Sequence, residues 1–159
     1  MDWTLMAFIG VCAVAASSGA LFPPGKWYDS LRKPSWRPPN WLFGPAWMVL
    51  YAMIAVSGWL VWTTAAPGDR LVPMTVYGVQ LAINAAWSGI FFGMKRMKLA
   101  LGEMALLWLS IAANIAVFWP VHQGAALLLV PYLAWVAFAF TLNRALVRLN
   151  PQAAAGAAA

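Results

Sequence analysis

The chain alternates between long apolar runs and short polar or proline-rich breaks. Five runs are long enough to cross a bilayer, because a spanning helix needs about 20 apolar residues. They cover residues 3–22, 41–64, 71–93, 99–119 and 124–147. Such unbroken runs exclude barrel strands, in which apolar and polar residues alternate. The pattern predicts an all-α integral membrane protein, a five-transmembrane-helix bundle forming one domain over residues 1–150.

Two segments fall outside this pattern. Residues 23–40 are rich in proline, aromatic and basic residues, and the prolines disfavour a regular helix there. Residues 151–159 form an Ala-rich tail that we expect to be frayed or disordered.

Composition supports the membrane interpretation. Of the 159 residues 64% are hydrophobic and only 9% are charged, whereas a soluble domain carries about 25% charged residues. So few charges cannot cover a water-facing surface, which argues against a soluble enzyme and against a disordered chain.

The few charges are distributed unevenly between the predicted loops. The formal net charge is +6, and Arg70 is the only basic residue on one side of the predicted bundle. Because cytoplasmic loops carry an excess of Lys and Arg, we expect the C-terminus to be cytoplasmic and the N-terminus to lie on the far side, which requires an odd number of spans. Basic charge in short loops indicates topology rather than nucleic-acid binding. The other side holds Lys26, Arg32, Lys33, Arg37, Lys95, Arg96, Lys98, Arg144 and Arg148.

Helical phase places polar and aromatic residues on shared faces. At about 100° per residue, span three carries Gln80, Asn84, Trp87 and Phe91 on one stripe. Polar side chains within a bilayer usually turn inward, so this stripe faces the bundle interior. Two interpretations are open, a ligand pocket with a few polar groups or hydrogen bonding between helices. Similar stripes join Trp47, Tyr51 and Gly58 on span two, and Trp135, Ala139 and Leu142 on span five.

Tryptophans deep inside spans need a separate explanation, because tryptophan ordinarily concentrates at the membrane interface. Trp87, Trp108 and Trp135 lie well within their runs. We expect each to fill the bundle core or to line a pocket.

The opposite face of span three is built from small residues, which allow helices to approach closely. This face suits either a homodimer contact or packing against another helix of the same chain. Its two ridges are Gly78, Ala82 and Ala86, and Ala85, Gly89 and Gly93.

The first loop combines aromatic and basic side chains in a segment that its prolines make stiff. Its side chains Trp27, Tyr28, Lys33, Trp36 and Arg37 suit a lid over a pocket mouth that holds an anionic amphipathic ligand. Binding of the loop to anionic lipid headgroups is the alternative.

Catalytic chemistry is poorly represented. Cys12 lies within a span, His122 stands alone, and no Cys/His cluster is present, so we expect neither a metal site nor an obligatory cofactor. Glu103 is the one acidic residue within a span. It suits a helix N-terminus, and a small proton-coupled exporter is an alternative function that would require it to titrate.

Three separated segments resemble the TspO/translocator protein family. The first is Lys33-Pro34-Ser35-Trp36-Arg37-Pro38-Pro39 with Phe43-Gly44-Pro45-Ala46-Trp47. The second is Gln80-Leu81 with Asn84, Trp87 and Phe91-Phe92-Gly93. The third is Pro131-Tyr132-Leu133-Ala134-Trp135 with Phe138-Ala139 and Leu142-Asn143.

The resemblance implies a dimeric five-helix protein of the bacterial envelope, in the inner or outer membrane, with an intramembrane pocket under the first loop. Its ligands would be porphyrins such as protoporphyrin IX and haem, sterols and benzodiazepine-type drugs, and its role transport or sensing. Light-dependent porphyrin degradation, involving Trp47 and Trp135, is a further alternative. The matching pocket positions are Phe43, Gly44, Ala46, Trp47, Tyr51, Asn84, Trp87, Trp135, Ala139 and Leu142.

One family feature is incomplete. The sterol motif at the end of helix five carries a tyrosine in animal members, and Arg144 stands at that position. Leu142 and Arg148 remain, but such motifs are weak evidence even when intact. Sterol binding is therefore less strongly implied than porphyrin binding.

Overall fold

A computed structural model describes residues 2–155, and within that range every regular element is helical. The helices are α1 Trp3–Leu21, α2 Lys26–Ser30, α3 Asn40–Thr64, α4 Leu71–Ser88, α5 Met97–Phe118, α6 Gln123–Leu128, α7 Val130–Leu149 and α8 Pro151–Ala155. A 3₁₀ turn, Pro67–Asp69, precedes α4, and a π-helical turn, Gly89–Gly93, follows it.

Four stretches are long and apolar enough to cross a membrane: α1, α3, α5 and the α6–α7 stretch Gln123–Leu149. The prediction of an all-helical, multi-pass membrane protein is confirmed. Helix α4 is not among the four, and it carries buried Gln80 and Asn84. The fifth span therefore stays a prediction.

Helix ends are set by local chemistry. Asp2 caps α1 by accepting a hydrogen bond from the Thr4 backbone N–H at 2.9 Å, and it accepts another from the Trp59 indole at 2.8 Å. Hydrogen bonds from the Thr4 hydroxyl and the Trp59 indole lower the pKa of Asp2. His122 caps α6 through Nδ1, which accepts from the Ala125 N–H at 3.1 Å.

When the π-helical turn is counted with α4, the helices match the bounds of the predicted spans to within two residues at their outer ends, with one internal break. The last predicted span is divided at Leu129, the residue between α6 and α7. Pro131 accounts for the break, since proline lacks a backbone N–H and clashes with the preceding turn.

Two expectations about the polar segments were wrong. Residues 26–30, predicted to be irregular, form α2, because no proline lies between Pro24 and Pro34. Residues 151–155, predicted to be frayed, form α8, since Pro151 suits a first helical position and alanine favours helix. The rest of the predicted tail, residues 156–159, lies outside the described residues.

The helices pack as an incomplete ring. Helix α1 packs on α3 and α4, α5 packs on α4 and α7, and α6 packs on α3. The backbones of α3 and α7 approach each other little. The ring is therefore closed between α3 and α7 mainly by side chains.

The tightest junction lies where α1, α3 and α4 meet. A Cβ added at Gly58 would come within 2.7 Å of the Tyr77 ring and 2.9 Å of Phe8. The Tyr77 hydroxyl donates to the Ile54 carbonyl at 3.2 Å and lies 3.3 Å from Cys12 Sγ. Glycine is needed at position 58 because two rings occupy the space that a side chain would fill.

The polar segments gather at one end of the bundle. Trp27 packs on Phe91 of the π-helical turn with ring centroids 5.8 Å apart. Asn150, just after α7, exchanges two hydrogen bonds with the Arg32 backbone, each 2.8 Å long. The first loop, the end of α4 and the end of α7 therefore lie together. Tyr28 and Phe91 from this end line an internal cavity, and we call this end of the cavity its mouth.

Candidate functional site

A cavity of about 870 Å³ lies inside the bundle. Helices α1, α3, α4, α5 and α7 form its walls, and α2 contributes Tyr28 at one end. The volume falls within the range of about 300–1,000 Å³ that is usual for ligand pockets.

Nine of the ten predicted pocket residues line this one cavity. They are Phe43, Gly44, Trp47, Tyr51, Asn84, Trp87, Trp135, Ala139 and Leu142. The tenth, Ala46, lies instead on an outer groove between α3 and α7. The helical phase that places Trp47 and Tyr51 inward turns Ala46 away from the interior.

Aromatic rings form much of the cavity wall. Trp87 stacks on Phe91 at a centroid distance of 5.0 Å and an interplanar angle of 19°. Phe43 of α3 meets Trp135 of α7 edge to face at 5.8 Å. Such walls offer flat, apolar contact surfaces, and Trp47 and Trp135 both belong to them.

A set of hydrogen bonds joins α3, α4 and α7 beside the cavity. The Tyr51 hydroxyl donates to Asn84 Oδ1 at 2.5 Å, and the Asn84 amide donates to the Tyr132 hydroxyl at 2.6 Å. The Gln80 amide also donates to Tyr132, at 2.7 Å. Asn84 thus bonds between helices and lines the cavity, so both interpretations of the inward stripe apply to it. Gln80 is fully buried and does not line the cavity, so its role is the hydrogen bond between α4 and α7.

Three cavity residues carry buried polar atoms without a hydrogen-bond partner within residues 2–155. These atoms are the indole nitrogens of Trp87 and Trp135 and both amide atoms of Asn143. Leaving a buried donor unpaired costs about 1–3 kcal/mol. A ligand with hydrogen-bond acceptors could offset part of this cost.

The first loop is organised around Tyr28, the one predicted lid residue that lines the cavity. Arg37 donates to its hydroxyl at 3.3 Å, and the Lys33 ammonium lies 4.8 Å from its ring centroid. Trp27 packs on Phe91, whereas Trp36 is exposed and meets Phe138 at 5.9 Å. The lid side chains therefore surround the mouth but only one reaches inside.

The outer groove between α3 and α7 has a volume of about 630 Å³. Its lining residues are all apolar: Pro45, Ala46, Val49, Leu50, Pro131, Ala134, Trp135 and Phe138. Trp135 lines both the groove and the internal cavity.

The two small-residue ridges of α4 differ in their surroundings. Gly78, Ala82 and Ala86 are exposed. Gly89 and Gly93 lie against Phe22, which is 3.5 Å and 2.9 Å from the added Cβ positions. Ala85 packs partly buried against the core. The second ridge is thus used at least partly within the chain.

Several predicted residues lie away from the cavity. Trp108, expected in the core or the pocket, is 36% exposed on the outside of α5, and that expectation was wrong. Glu103 does not line the cavity, and neither carboxyl oxygen has a hydrogen-bond partner within residues 2–155. Arg148 is exposed while Leu142 faces the cavity, so the two sterol-motif residues point to different surroundings.

Sequence reasoning also missed part of the site. Helix α1 contributes Cys12, Ala16 and Ser18 to the cavity, but this helix is apolar all round and gives no phase signal. Tyr132 and Asn143 were overlooked as inward polar groups. Tyr132 precedes Trp135 by one helical turn and Asn143 follows Ala139 by one turn, so helical phase would have placed both on the inward face of α7.

The fold and the cavity define a class, the multi-pass α-helical membrane proteins with an internal ligand-sized chamber. Residues 8–149 match the profile of the TspO/MBR family. The chain belongs to this family.

Individual relatives cover nearly the whole chain. Protein CrtK of Rhodobacter capsulatus is 44% identical over 95% of this chain and 96% of its own. The Tryptophan-rich sensory protein of Cereibacter sphaeroides is 41% identical over 94% of each chain. The human Translocator protein is 41% identical over 94% of this chain and 89% of its own.

Proposed function

We propose that this protein binds porphyrins, such as protoporphyrin IX and haem, in the cavity between its helices, and that it acts in tetrapyrrole transport or sensing. One observation carries the proposal: Trp47, Trp87 and Trp135 come from three different helices and line a single cavity. Flat apolar walls with a few polar groups suit a flat aromatic ligand.

Charge favours one orientation of such a ligand. The basic side chains Lys33 and Arg37 lie at the mouth beside Tyr28, whereas the opposite end of the wall holds the neutral Tyr51–Asn84–Tyr132 cluster. A porphyrin carries carboxylates on one edge, and these would lie toward the mouth while the macrocycle occupies the tryptophan walls.

The relatives' names agree with both proposed roles. One relative is called a sensory protein and another a translocator protein. Sterol binding receives less support, because Arg144 and Arg148 are both exposed and only Leu142 faces the cavity.

The proposal includes an arrangement of the helices in the membrane. We propose that α4 with its π-helical turn is the fifth span, since it packs on α1 and α5 and carries its amides inward. Nine basic residues on one side of this arrangement support a cytoplasmic C-terminus in a bacterial membrane protein.

A homodimer through α4 is also proposed, using the exposed ridge of Gly78, Ala82 and Ala86. An Ala86→Cys variant should form a disulfide-linked dimer in membranes, while Ala113→Cys, exposed on α5, should not. Equal crosslinking of both variants, or of neither, would exclude this interface.

Binding is tested by titrating the purified protein with protoporphyrin IX and following tryptophan fluorescence. Trp87→Phe and Trp108→Phe form a matched pair, since each removes one indole and only Trp87 lines the cavity. We expect the Kd to rise about threefold to tenfold for Trp87→Phe, because the smaller ring weakens one aromatic contact with the ligand, and to stay unchanged for Trp108→Phe. Absence of quenching in the unaltered protein, or equal Kd values in the two variants, would contradict the proposal.

A further inference from the structure

The wall between α3 and α7 is closed by rings rather than by backbone contact. Phe43 meets Trp135 at 5.8 Å and Trp47 meets Tyr132 at 6.2 Å, both edge to face. Little backbone contact supports these pairs. Because Trp135 borders the cavity on one side and the outer groove on the other, the wall there is a single side chain thick.

The indole of Trp135 is held by packing alone. Its Nε1 atom has no hydrogen-bond partner among residues 2–155. The neighbouring positions on the two helices are small: Gly44 and Ala139 face the cavity, and Ala46 and Ala134 face the groove. A rotation of this one indole would therefore join the two spaces without breaking a directed bond.

Helix α3 and the α6–α7 stretch each contain a proline beside the groove. Pro45 lies inside α3 and Pro131 lies in the first turn of α7, and both line the groove. Proline cannot donate the backbone hydrogen bond that continues a helix, and such sites are where helices bend. The chain also breaks at Leu129, between α6 and α7. Local separation of α3 and α7 is thus easier here than elsewhere along them.

The mouth of the cavity is closed differently. Asn150 holds the Arg32 backbone through two hydrogen bonds of 2.8 Å. Arg37 donates to Asn40 Oδ1 at 2.7 Å as well as to Tyr28. Lifting the loop would break several directed polar bonds together, whereas turning the Trp135 indole aside would break none among residues 2–155.

We propose that the groove between α3 and α7 is a lateral portal, through which a flat apolar ligand dissolved in the bilayer reaches the cavity, with the Trp135 indole as its gate. The apolar lining of the groove suits the hydrocarbon face of a porphyrin, whose carboxylate edge would stay toward Lys33 and Arg37 at the mouth. This proposal rests on the proposed function, since it describes how the same cavity is filled.

Blocking the groove tests the portal. Ala134 is exposed, lines the groove and does not line the cavity, so Ala134→Trp fills the passage but leaves the bound state intact. We expect the association and dissociation rates of protoporphyrin IX to fall together by about tenfold, with Kd unchanged within about twofold, because a blocked passage slows both directions equally. The rates are measured by stopped-flow fluorescence quenching of protein in lipid nanodiscs. Ala113→Trp adds the same indole to the exposed face of α5 and should bind at the original rates.

The outcomes separate the two proposals. If the unaltered protein shows no quenching, the proposed function fails. If it binds and Ala134→Trp leaves both rates unchanged, the portal is wrong although porphyrin binding stands. A higher Kd without slower association would make the groove part of the binding site, which also overturns the portal. Ala46→Trp blocks the groove from the α3 side and decides the question if Ala134→Trp does not fold.

Discussion

Helix α3 takes part in two contacts of opposite character. At Gly58 it meets α1 and α4 so closely that an added Cβ would lie 2.7 Å from the Tyr77 ring. At Gly44, fourteen residues earlier, no atom of residues 2–155 outside its own helical surroundings lies within 4 Å of an added Cβ, and the residue lines the cavity. One glycine brings helices together, and the other leaves space between them.

The same division extends through the bundle. On the α1/α3/α4 side, small residues and buried hydrogen bonds fix the helices, as at Tyr77 and Ile54. On the α3/α7 side, large rings span a gap that the backbones do not close. Without a hydrophobic driving force in lipid, helix association depends on close packing and polar bonds. Between α3 and α7 the direct contacts are made by rings instead, and this side carries the outer groove and the proposed portal.

The largest expected effect comes from adding a side chain at Gly58, where the helices are in close contact. Gly58→Leu should lower the free energy of unfolding by about 3 kcal/mol, because the new side chain must displace the Phe8 and Tyr77 rings. Gly44→Leu on the same helix should change it by about 1 kcal/mol at most. Thermal unfolding in detergent, followed by circular dichroism, measures both. Equal destabilisation would mean that the two sides do not differ in packing.

The next effect tests the polar cluster beside the cavity. Tyr132→Phe keeps the ring but removes the acceptor of the Gln80 and Asn84 amides. We expect a loss of about 2 kcal/mol in the free energy of unfolding, since two buried donors are left unpaired. Tyr28→Phe is the control, because its hydroxyl bonds only to Arg37 in the loop. A similar midpoint for both variants in thermal unfolding would show that the cluster does not hold the helices.

The smallest effect concerns the loop over the mouth. Asn150→Ala removes both bonds to the Arg32 backbone and should cost about 1 kcal/mol. The visible change should be in hydrogen exchange of residues 31–33, which should become faster while exchange in α3 stays the same. Gln152→Ala, exposed on α8, is the control. Unchanged exchange in the loop would show that Asn150 does not anchor it.

Much of the fold was predictable because lipid imposes simple rules. The outer limits of the long helices follow from apolar length, and the inward position of Asn84, Trp87 and Trp135 follows from helical phase and the cost of polar groups in lipid. The break at Leu129 required attention to Pro131. Helix α2 is too short for periodicity to reveal, and the Asn150–Arg32 contact joins residues distant in sequence.

The site was predictable only in part for a related reason. Helical phase shows which residues share one face of a helix, but it does not show which neighbouring helix, or the lipid, that face contacts. Trp108 has the same depth and chemistry as Trp135, yet α5 turns it outward while α7 turns Trp135 to the cavity. The contribution of α1 was invisible because that helix is apolar on all faces.

The central claim is that the cavity walled by α3 and α7 is the porphyrin site. The most direct test is the shift in the thermal unfolding midpoint on adding protoporphyrin IX at about 100 times its Kd, which for a ligand of the folded state corresponds to about 2.7 kcal/mol. We predict a clear upward shift for the unaltered protein and little or none for Gly44→Leu, in which the leucine side chain occupies the cavity. An equal shift in Gly44→Leu would place the ligand elsewhere and contradict the account.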